Sequence, residues 1–120
     1  MLNSISVKVL IVQIIIVMLS VTNAWSSEEA LIRASYYSSG SRTACGESFD
    51  PQGFTAASRT LPFGTRLHVT NPATGRSVIV RINDRGPYVR GRGLDLAKGA
   101  AEAIGMIGQG TAMLSVARLN

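Results

Sequence analysis

Cysteine and histidine are nearly absent from this 120-residue sequence, which has one cysteine, Cys45, and one histidine, His68. A single cysteine excludes an intramolecular disulfide, and we interpret Cys45 as a small buried residue in a turn rather than a reactive thiol. No histidines and cysteines cluster at ligand spacing, so we expect no metal and no other cofactor. The two residues lie on separate segments, which is poor support for a cysteine–histidine nucleophile pair.

Negative charge is also scarce: seven Asp and Glu residues stand against twelve Lys and Arg residues, for a formal net charge of +5. Such a balance suits an anionic partner, which includes nucleic acid, a membrane surface and an anionic cell-wall polymer. The aromatic residues do not alternate with the basic ones, as a surface that stacks nucleic-acid bases requires. We therefore expect no nucleic-acid partner.

The first two dozen residues are almost free of charge. Lys8 is the only charged residue before Glu28, and residues 9–21 are nearly all apolar. This run has the length of a signal-peptide core and is short for a bilayer span. We predict a signal peptide at residues 1–24, cleaved before Trp25, and a membrane contact only if this segment stays uncleaved as an anchor. No cysteine directly follows the run, so no lipid anchor is expected.

Cleavage leaves a chain that suffices for one small domain with a single core. We assign residues 25–33 to a lead-in and residues 34–120 to the domain. We expect an exported monomer in the periplasm or cell envelope. Export is a second argument against nucleic acid as a partner.

Short segments with β character, separated by turn signals, follow this N-terminal part. Residues 66–71 and 76–83 form a predicted hairpin, because β-branched and apolar residues flank a turn with proline early and glycine late. Residues 31–37 and 111–119 are predicted as the first and last strands. Such a series of short strands is typical of an all-β domain.

One helix is predicted at residues 95–104, which are rich in helix formers. Asp95 is its expected N-cap and Gly105 its expected C-cap. Apolar side chains then fall on one face, which would pack on the sheet. The sum is a small, mainly β domain with one or two short helices, more consistent with a closed barrel than with an α/β sheet.

Three acidic residues stand out as candidates for chemistry: Glu47, Asp84 and Asp95. Each also has a structural interpretation. Asp95 caps its helix, although a cap can line a cleft, and Glu47 pairs with Arg42 in its loop. Asp84, at the end of a strand and just before a Gly-Pro turn, forms an Asx turn and pairs with Arg85. The residue chemistry alone leaves the catalytic and structural interpretations open for all three.

Motifs spread in order over residues 34–106 are more specific. They read ASYY at 34–37, RTACGESFD at 42–50, TAASRTLPFG at 55–64, VTN at 69–71, GRSV at 75–78, VRINDRGPY at 80–88 and DLA at 95–97. Together they resemble the rare lipoprotein A family of septal-ring lytic transglycosylases of the bacterial envelope. The resemblance implies a six-stranded double-psi β-barrel, with peptidoglycan glycan strands as the substrate.

The resemblance also implies roles for individual residues. Asp84 and Glu47 match the family's catalytic acidic positions, Asp84 as the acid/base and Glu47 to orient substrate or stabilise positive charge at the sugar ring. Ser58 replaces the histidine that the family has in A-A-H-R-T-L-P, and serine cannot relay a proton near neutral pH as imidazole does. The residues expected to contact substrate are Tyr36, Ser58, Arg85, Tyr88 and Asp95.

The implied reaction cuts the bond between N-acetylmuramic acid and N-acetylglucosamine, and the muramoyl C6 hydroxyl closes a 1,6-anhydro ring. A single carboxyl group can protonate the leaving oxygen and then accept the hydroxyl proton. Two other hypotheses stay open. One is a non-catalytic glycan-binding barrel that resembles expansins in architecture, which Ser58 favours, and the other is a barrel that binds an envelope protein.

Overall fold

The computed structural model describes residues 28–120, so the predicted signal peptide and its cleavage site lie outside the described residues. This part of the chain contains six strands, one α-helix and one turn of 3-10 helix. The elements are β1 Glu29–Tyr37, β2 Thr55–Ala57, β3 Arg66–Asn71, β4 Arg76–Asp84, β5 Leu94–Ala97, α1 Lys98–Ala103, the 3-10 turn Ile107–Gln109 and β6 Thr111–Arg118. The described part includes no helix long and apolar enough to cross a membrane.

The six strands form a closed barrel in the order β1-β5-β2-β4-β3-β6. β1 pairs with β5, and β2 with β4, in parallel, whereas the other neighbours are antiparallel. Because β6 pairs with both β1 and β3, the ring closes and these strands have no open sheet edge. The structure confirms the predicted fold class, a mainly β six-stranded barrel with one short helix.

Alternating burial along the strands explains why this sequence closes a barrel. In β3 and β4, alternate side chains are almost fully buried, namely those of Leu67, Val69, Val80 and Ile82. The side chains at the positions between these buried ones are more exposed throughout β3 and in the first part of β4. A period of two places one face of each strand in the core. Leu114 of β6 joins the same hydrophobic cluster, so the core lies inside the ring of strands.

The predicted strands agree closely with those observed. β3 spans the predicted residues, and β4 runs one residue beyond the prediction, to Asp84. β1 begins two residues early, at Glu29, and β6 ends one residue early, at Arg118. The sequence pattern does not predict β2, because the three residues Thr55–Ala57 are too few to show an alternation.

The predicted helix is wrong in its first part. Residues 94–97 form β5, which pairs with β1 and β2, so strand pairing overrides the helical preference of this segment. The helix α1 begins only at Lys98, its N-cap is Ala97 and no side chain caps it. Asp95 is therefore not a helix cap. At the other end the C-cap is Ile104, and Gly105 follows it with a φ of 72°, a conformation that favours glycine.

Strand pairing places two acidic residues on either side of β2. The register of β2 against β4 shifts just before Ala57, which pairs with Asp84 and leaves Asn83 as an extra residue. A bulge of this kind bends the strand and re-aims the side chains beside it. On its other side Ala57 pairs with Asp95 of β5. A single alanine therefore separates Asp84 from Asp95 across the barrel wall.

Candidate active site

Asp84 is the last residue of β4, and three donors hold its carboxyl group. Oδ1 accepts hydrogen bonds from the backbone N–H groups of Ala44 and Arg85, each at 2.9 Å. Oδ2 accepts a hydrogen bond from the Tyr37 hydroxyl at 3.1 Å. Asp84 is half-buried. The carboxyl group is thus fixed in orientation and still partly exposed to solvent.

The Arg85 guanidinium contacts carbonyl oxygens rather than the Asp84 carboxylate, contrary to the predicted ion pair. Nη1 donates to the carbonyl oxygens of Ser58 and Leu61, at 3.1 and 3.0 Å. The guanidinium carbon also lies 3.9 Å from the centre of the Phe63 ring, a cation–π contact. Arg85 therefore ties the loop after β2 to the end of β4. The predicted Asx turn at Asp84 is wrong, because the carboxyl group accepts from the N–H of the next residue, Arg85, whereas an Asx turn uses the N–H two residues on.

Glu47 forms a two-point ion pair with Arg81 of β4. Arg81 Nη1 and Nη2 donate to Oε1 and Oε2 at 2.6 and 2.8 Å, and Asn83 Nδ2 donates to Oε2 at 3.4 Å. Mainly because of the Arg81 hydrogen bonds, the pKa of Glu47 falls to about 2. Glu47 is therefore a permanent negative charge near neutral pH. The predicted partner, Arg42, is wrong, since Arg42 Nη1 donates to the Gly46 carbonyl at 2.8 Å.

The turn at residues 42–48 brings Glu47 to the end of β4. Gly46 in this turn has a φ of 97°, which L side chains rarely adopt. The turn docks on the strand through backbone groups, because Cys45 N–H donates to the Asn83 carbonyl at 3.1 Å and the preceding N–H binds the Asp84 carboxylate. Cys45 is half-buried there, rather than buried as predicted. One turn thus positions both acidic residues.

Asp95 lies two strands away from Asp84, on β5. Its Oδ1 accepts a hydrogen bond from the Ser35 hydroxyl at 2.9 Å. Burial raises the pKa of Asp95, and the nearby charge of Asp84 adds to this rise. The hydrogen bond from Ser35 and the positive charge of Arg92 lower the pKa and so oppose it. The structure therefore brings Asp95 within electrostatic range of Asp84.

Tyr37 is a site residue that the sequence reasoning missed. Its hydroxyl binds Asp84, and its ring stacks on Phe49 with the ring centres 4.7 Å apart and the planes 13° from parallel. Burial first, and then the charge of Asp84 and the hydrogen bond to it, raise the pKa of Tyr37 above its ordinary value. Alternation along β1 is the one signal that could have found it, because Tyr37 shares a strand face with Ser35, the partner of Asp95.

The two aromatic residues that were predicted stand apart from Asp84. The Tyr36 hydroxyl donates to the Ile107 carbonyl at 3.0 Å, and the Tyr36 side chain packs against the hydrophobic core. Tyr88 is 79% exposed in the segment that follows β4. Within residues 28–120, no group of His, Cys, Asp and Glu side chains is placed to hold a metal ion. Of the residues predicted for the site, those that the structure places near the end of β4 are Asp84, Glu47, Ser58, Arg85 and Asp95.

Known protein families include one that matches this chain over most of its length. A family model described as lytic transglycolase matches residues 29–116. The chain belongs to this lytic transglycolase family. The match confirms the resemblance inferred from the motifs, and the matched range includes the whole barrel except the last residues of β6.

Relatives in this family are similar at the level of sequence. A probable endolytic peptidoglycan transglycosylase RlpA from a Nostoc species is 60% identical over 77 residues, which cover 64% of this chain and 21% of the relative. Its counterpart from Treponema pallidum is 52% identical over 86 residues, 69% of this chain and 27% of the relative. The chain thus spans about a fifth to a quarter of the length of these curated relatives.

Solved structures show the same fold. A Streptomyces papain inhibitor superimposes with a TM-score of 0.64 at 19% identity, covering 78% of this chain and 96% of that one. An expansin from Clavibacter michiganensis superimposes with a TM-score of 0.63 at 23% identity, covering 78% of this chain and 51% of that one. At these identities the likeness concerns the fold alone, because one fold serves many functions.

Ser58, which stands where the resemblance places the family's histidine, lies directly beside Asp84. Its backbone N–H donates to the Asp84 carbonyl at 3.2 Å, and its side chain is buried. Its Oγ accepts hydrogen bonds from the N–H groups of Leu61 and Thr60 at 3.1 and 3.4 Å. The Ser58 hydroxyl therefore stabilises the turn after β2, and its side chain cannot act as a base near neutral pH.

Proposed function

We propose that this domain is a peptidoglycan lytic transglycosylase in which Asp84 is the acid/base. The observation that carries the proposal is the setting of Asp84: a half-buried carboxyl group at a strand end, held by three donors and free of any cationic partner in the described residues. Membership of the lytic transglycolase family supports the reaction class. The relatives named endolytic peptidoglycan transglycosylase support glycan strands as the substrate.

The two carboxyl oxygens of Asp84 differ in what they can do. Oδ1 is engaged by the N–H groups of Ala44 and Arg85, whereas Oδ2 has a single donor, Tyr37. Oδ2 is therefore the oxygen that carries the proton to the glycosidic oxygen between the two sugars. The muramoyl C6 hydroxyl then attacks the anomeric carbon as the glycosidic bond breaks, and Asp84 accepts the hydroxyl proton. No water enters the product, which is a 1,6-anhydro ring.

Glu47 has a different role, because its pKa of about 2 leaves no proton to give. A fixed carboxylate can stabilise the positive charge that develops on the sugar ring as the glycosidic bond breaks. Arg81 holds both oxygens of Glu47 and so fixes its position. Arg85, Asp95 and the exposed ring of Tyr88 are proposed as substrate contacts.

The second candidate function is a glycan-binding barrel that does not cut its ligand. Ser58 favours it, because the Ser58 hydroxyl is bonded to two backbone N–H groups and supplies no titratable group next to Asp84. The two functions share the same binding surface. They differ in whether the Asp84 proton is transferred to the glycosidic oxygen.

The N-terminal sequence supports a proposal for where the protein acts. We propose export through a signal peptide at residues 1–24 to the periplasm or cell envelope, where the protein acts as a monomer. N-terminal sequencing of protein from the envelope fraction is expected to begin at Trp25. Recovery of intact Met1 in a membrane pellet would indicate an uncleaved anchor instead.

Incubation with purified sacculi tests the function. The purified protein is mixed with sacculi, and the soluble products are identified by mass spectrometry, with heat-denatured protein as the control. The transglycosylase proposal predicts anhydro-muropeptides in the soluble fraction. Binding to sacculi without any release supports the glycan-binding alternative, and the absence of both binding and release contradicts both functions.

A further inference from the structure

Tyr37 lies next to Asp84 and both packs against Phe49 and donates a hydrogen bond to the Asp84 carboxyl group. It is the last residue of β1, and its ring is fixed by stacking on Phe49. Its hydroxyl donates to Asp84 Oδ2 at 3.1 Å. Among the described residues, it is the side chain that donates a hydrogen bond to this carboxyl group, since the other two donors are the backbone N–H groups of Ala44 and Arg85.

The Tyr37 phenol is protonated at neutral pH and well above it. Half-burial and the neighbouring charges of Asp84 and Asp95 raise its pKa, because each of these disfavours the phenolate. Tyr37 therefore cannot take a proton from substrate. It is a constant hydrogen-bond donor to the oxygen that transfers the proton.

We propose that Tyr37 is a positioning residue that orients Asp84 Oδ2 and favours the charged form of the Asp84 carboxyl group. A donor to a carboxylate stabilises the ionised form over the protonated one. Tyr37 then affects how readily Asp84 gives its proton to the substrate. The consequence for the reaction rests on the proposed function, whereas the hydrogen bond and its effect on the titration of Asp84 do not.

The other charged groups near Asp84 bond to partners other than its carboxyl group. Asp95 on β5 is bonded to Ser35, and Glu47 is paired with Arg81. The Arg85 guanidinium is directed to the carbonyl oxygens of the loop after β2. The charged and titratable groups connected to Asp84 directly, through its neighbours or through the turn at residues 42–48 are Tyr37, Arg42, Cys45, Glu47, Arg81, Arg85, Arg92 and Asp95.

A pair of matched variants separates positioning from packing. Tyr37→Phe removes one hydroxyl and keeps the ring that stacks on Phe49. Tyr36→Phe, on the neighbouring residue, removes a hydroxyl bonded to the Ile107 carbonyl and also keeps its ring. Both variants lose one hydrogen bond, so a general loss of stability is similar in the two. Only the first loses a donor to Asp84.

Carbon-13 NMR of the Asp84 carboxyl group is followed as a function of pH in the full-length protein and both variants. In Tyr37→Phe the titration midpoint is expected to rise by about one pH unit, the shift that corresponds to losing a hydrogen bond to a charged group. In Tyr36→Phe the midpoint stays at the wild-type value. With sacculi, the alkaline limb of the rate profile of Tyr37→Phe moves to higher pH by a similar amount.

An unchanged midpoint in Tyr37→Phe overturns the inference, as does an equal shift in both variants. The two proposals fail separately. If the wild-type protein releases no anhydro-muropeptides, the proposed function fails, and the NMR titration still decides whether Tyr37 controls Asp84. If products are released and neither the midpoint nor the rate profile moves in Tyr37→Phe, the positioning role fails and the proposed function stands.

Discussion

Replacing Arg81 tests what keeps Glu47 charged. In the structure both Glu47 oxygens accept from Arg81, at 2.6 and 2.8 Å, and the pKa of Glu47 is about 2. Arg81→Gln removes the charge and one arm of this two-point contact. We expect the pKa of Glu47 to rise from about 2 toward the value of a free glutamate, about 4.3.

The direction of the pH dependence follows from the two pKa values. Because the pKa of Glu47 is lower in the folded protein than in an unfolded chain, the ion pair adds stability above about pH 4.3, and this contribution is lost as the pH falls toward 2. Both side chains are 43% exposed, so solvent screens the pair and its effect on the thermal midpoint is small. The titration is therefore the sensitive readout, and thermal unfolding serves as the check on folding.

Carbon-13 NMR of the Glu47 carboxyl group measures the titration, and Arg42→Gln is the matched control. Arg42 contacts the Gly46 carbonyl and not the carboxylate, so its replacement leaves the pKa of Glu47 at about 2. A pKa that stays at about 2 in Arg81→Gln would refute the reasoning. So would a rise in Arg42→Gln, because Arg42 would then be the partner, as the sequence alone suggested.

Two further substitutions test the packing of α1 and the role of Ser58. Gly99→Ala places a Cβ against the Gln52 backbone, 2.6 Å from its carbonyl carbon, and is expected to cost about 1 to 3 kcal/mol despite the better helix propensity of alanine. Gly108→Ala, where a Cβ meets open space, is the control, and equal thermal midpoints by circular dichroism would contradict the clash. Ser58→His places an imidazole on the residue whose backbone N–H binds the Asp84 carbonyl, and if that ring reaches the carboxyl group the rate of anhydro-muropeptide release is expected to rise by about 10- to 100-fold. No gain over a substantial wild-type rate would show that this chain does not need the histidine.

The sequence predicts the longer strands because their pattern is local. β3 and β4 alternate apolar and polar residues around a clear turn, so both strands and the hairpin are found within one residue. β5 is missed for the opposite reason. The short run Leu94–Ala97 owes its strand conformation to pairing with β1 and β2, a long-range contact that no local pattern shows, and Asp95 beside helix formers instead indicates a cap.

The candidate site could likewise be predicted only in part: the acidic residues could be found from the sequence, but their contacts could not. The motifs single out Asp84 and Glu47 as candidates, because the resemblance of the surrounding residues aligns both with the family's acidic positions. The partners of these residues could not be predicted, since Ala44 and Asp84 are 40 residues apart, and Glu47 and Arg81 are 34 apart. Arg42 is closer to Glu47 in sequence and was the natural prediction. The turn geometry directs it to the Gly46 carbonyl instead.

The most direct test of the central claim is anhydro-muropeptide release by Asp84→Asn. Asparagine has nearly the same shape and can keep the contacts of Oδ1 with the backbone, so the thermal midpoint is expected to fall by only a few degrees, about 1 kcal/mol or less. Asp50→Asn is the matched control, because Asp50 Oδ1 also accepts a backbone N–H, that of Gln52, at 2.9 Å, in an exposed turn. With folding and sacculus binding verified on the same preparations, the account predicts wild-type release by Asp50→Asn and none by Asp84→Asn. Release by folded Asp84→Asn at the wild-type rate would contradict the account.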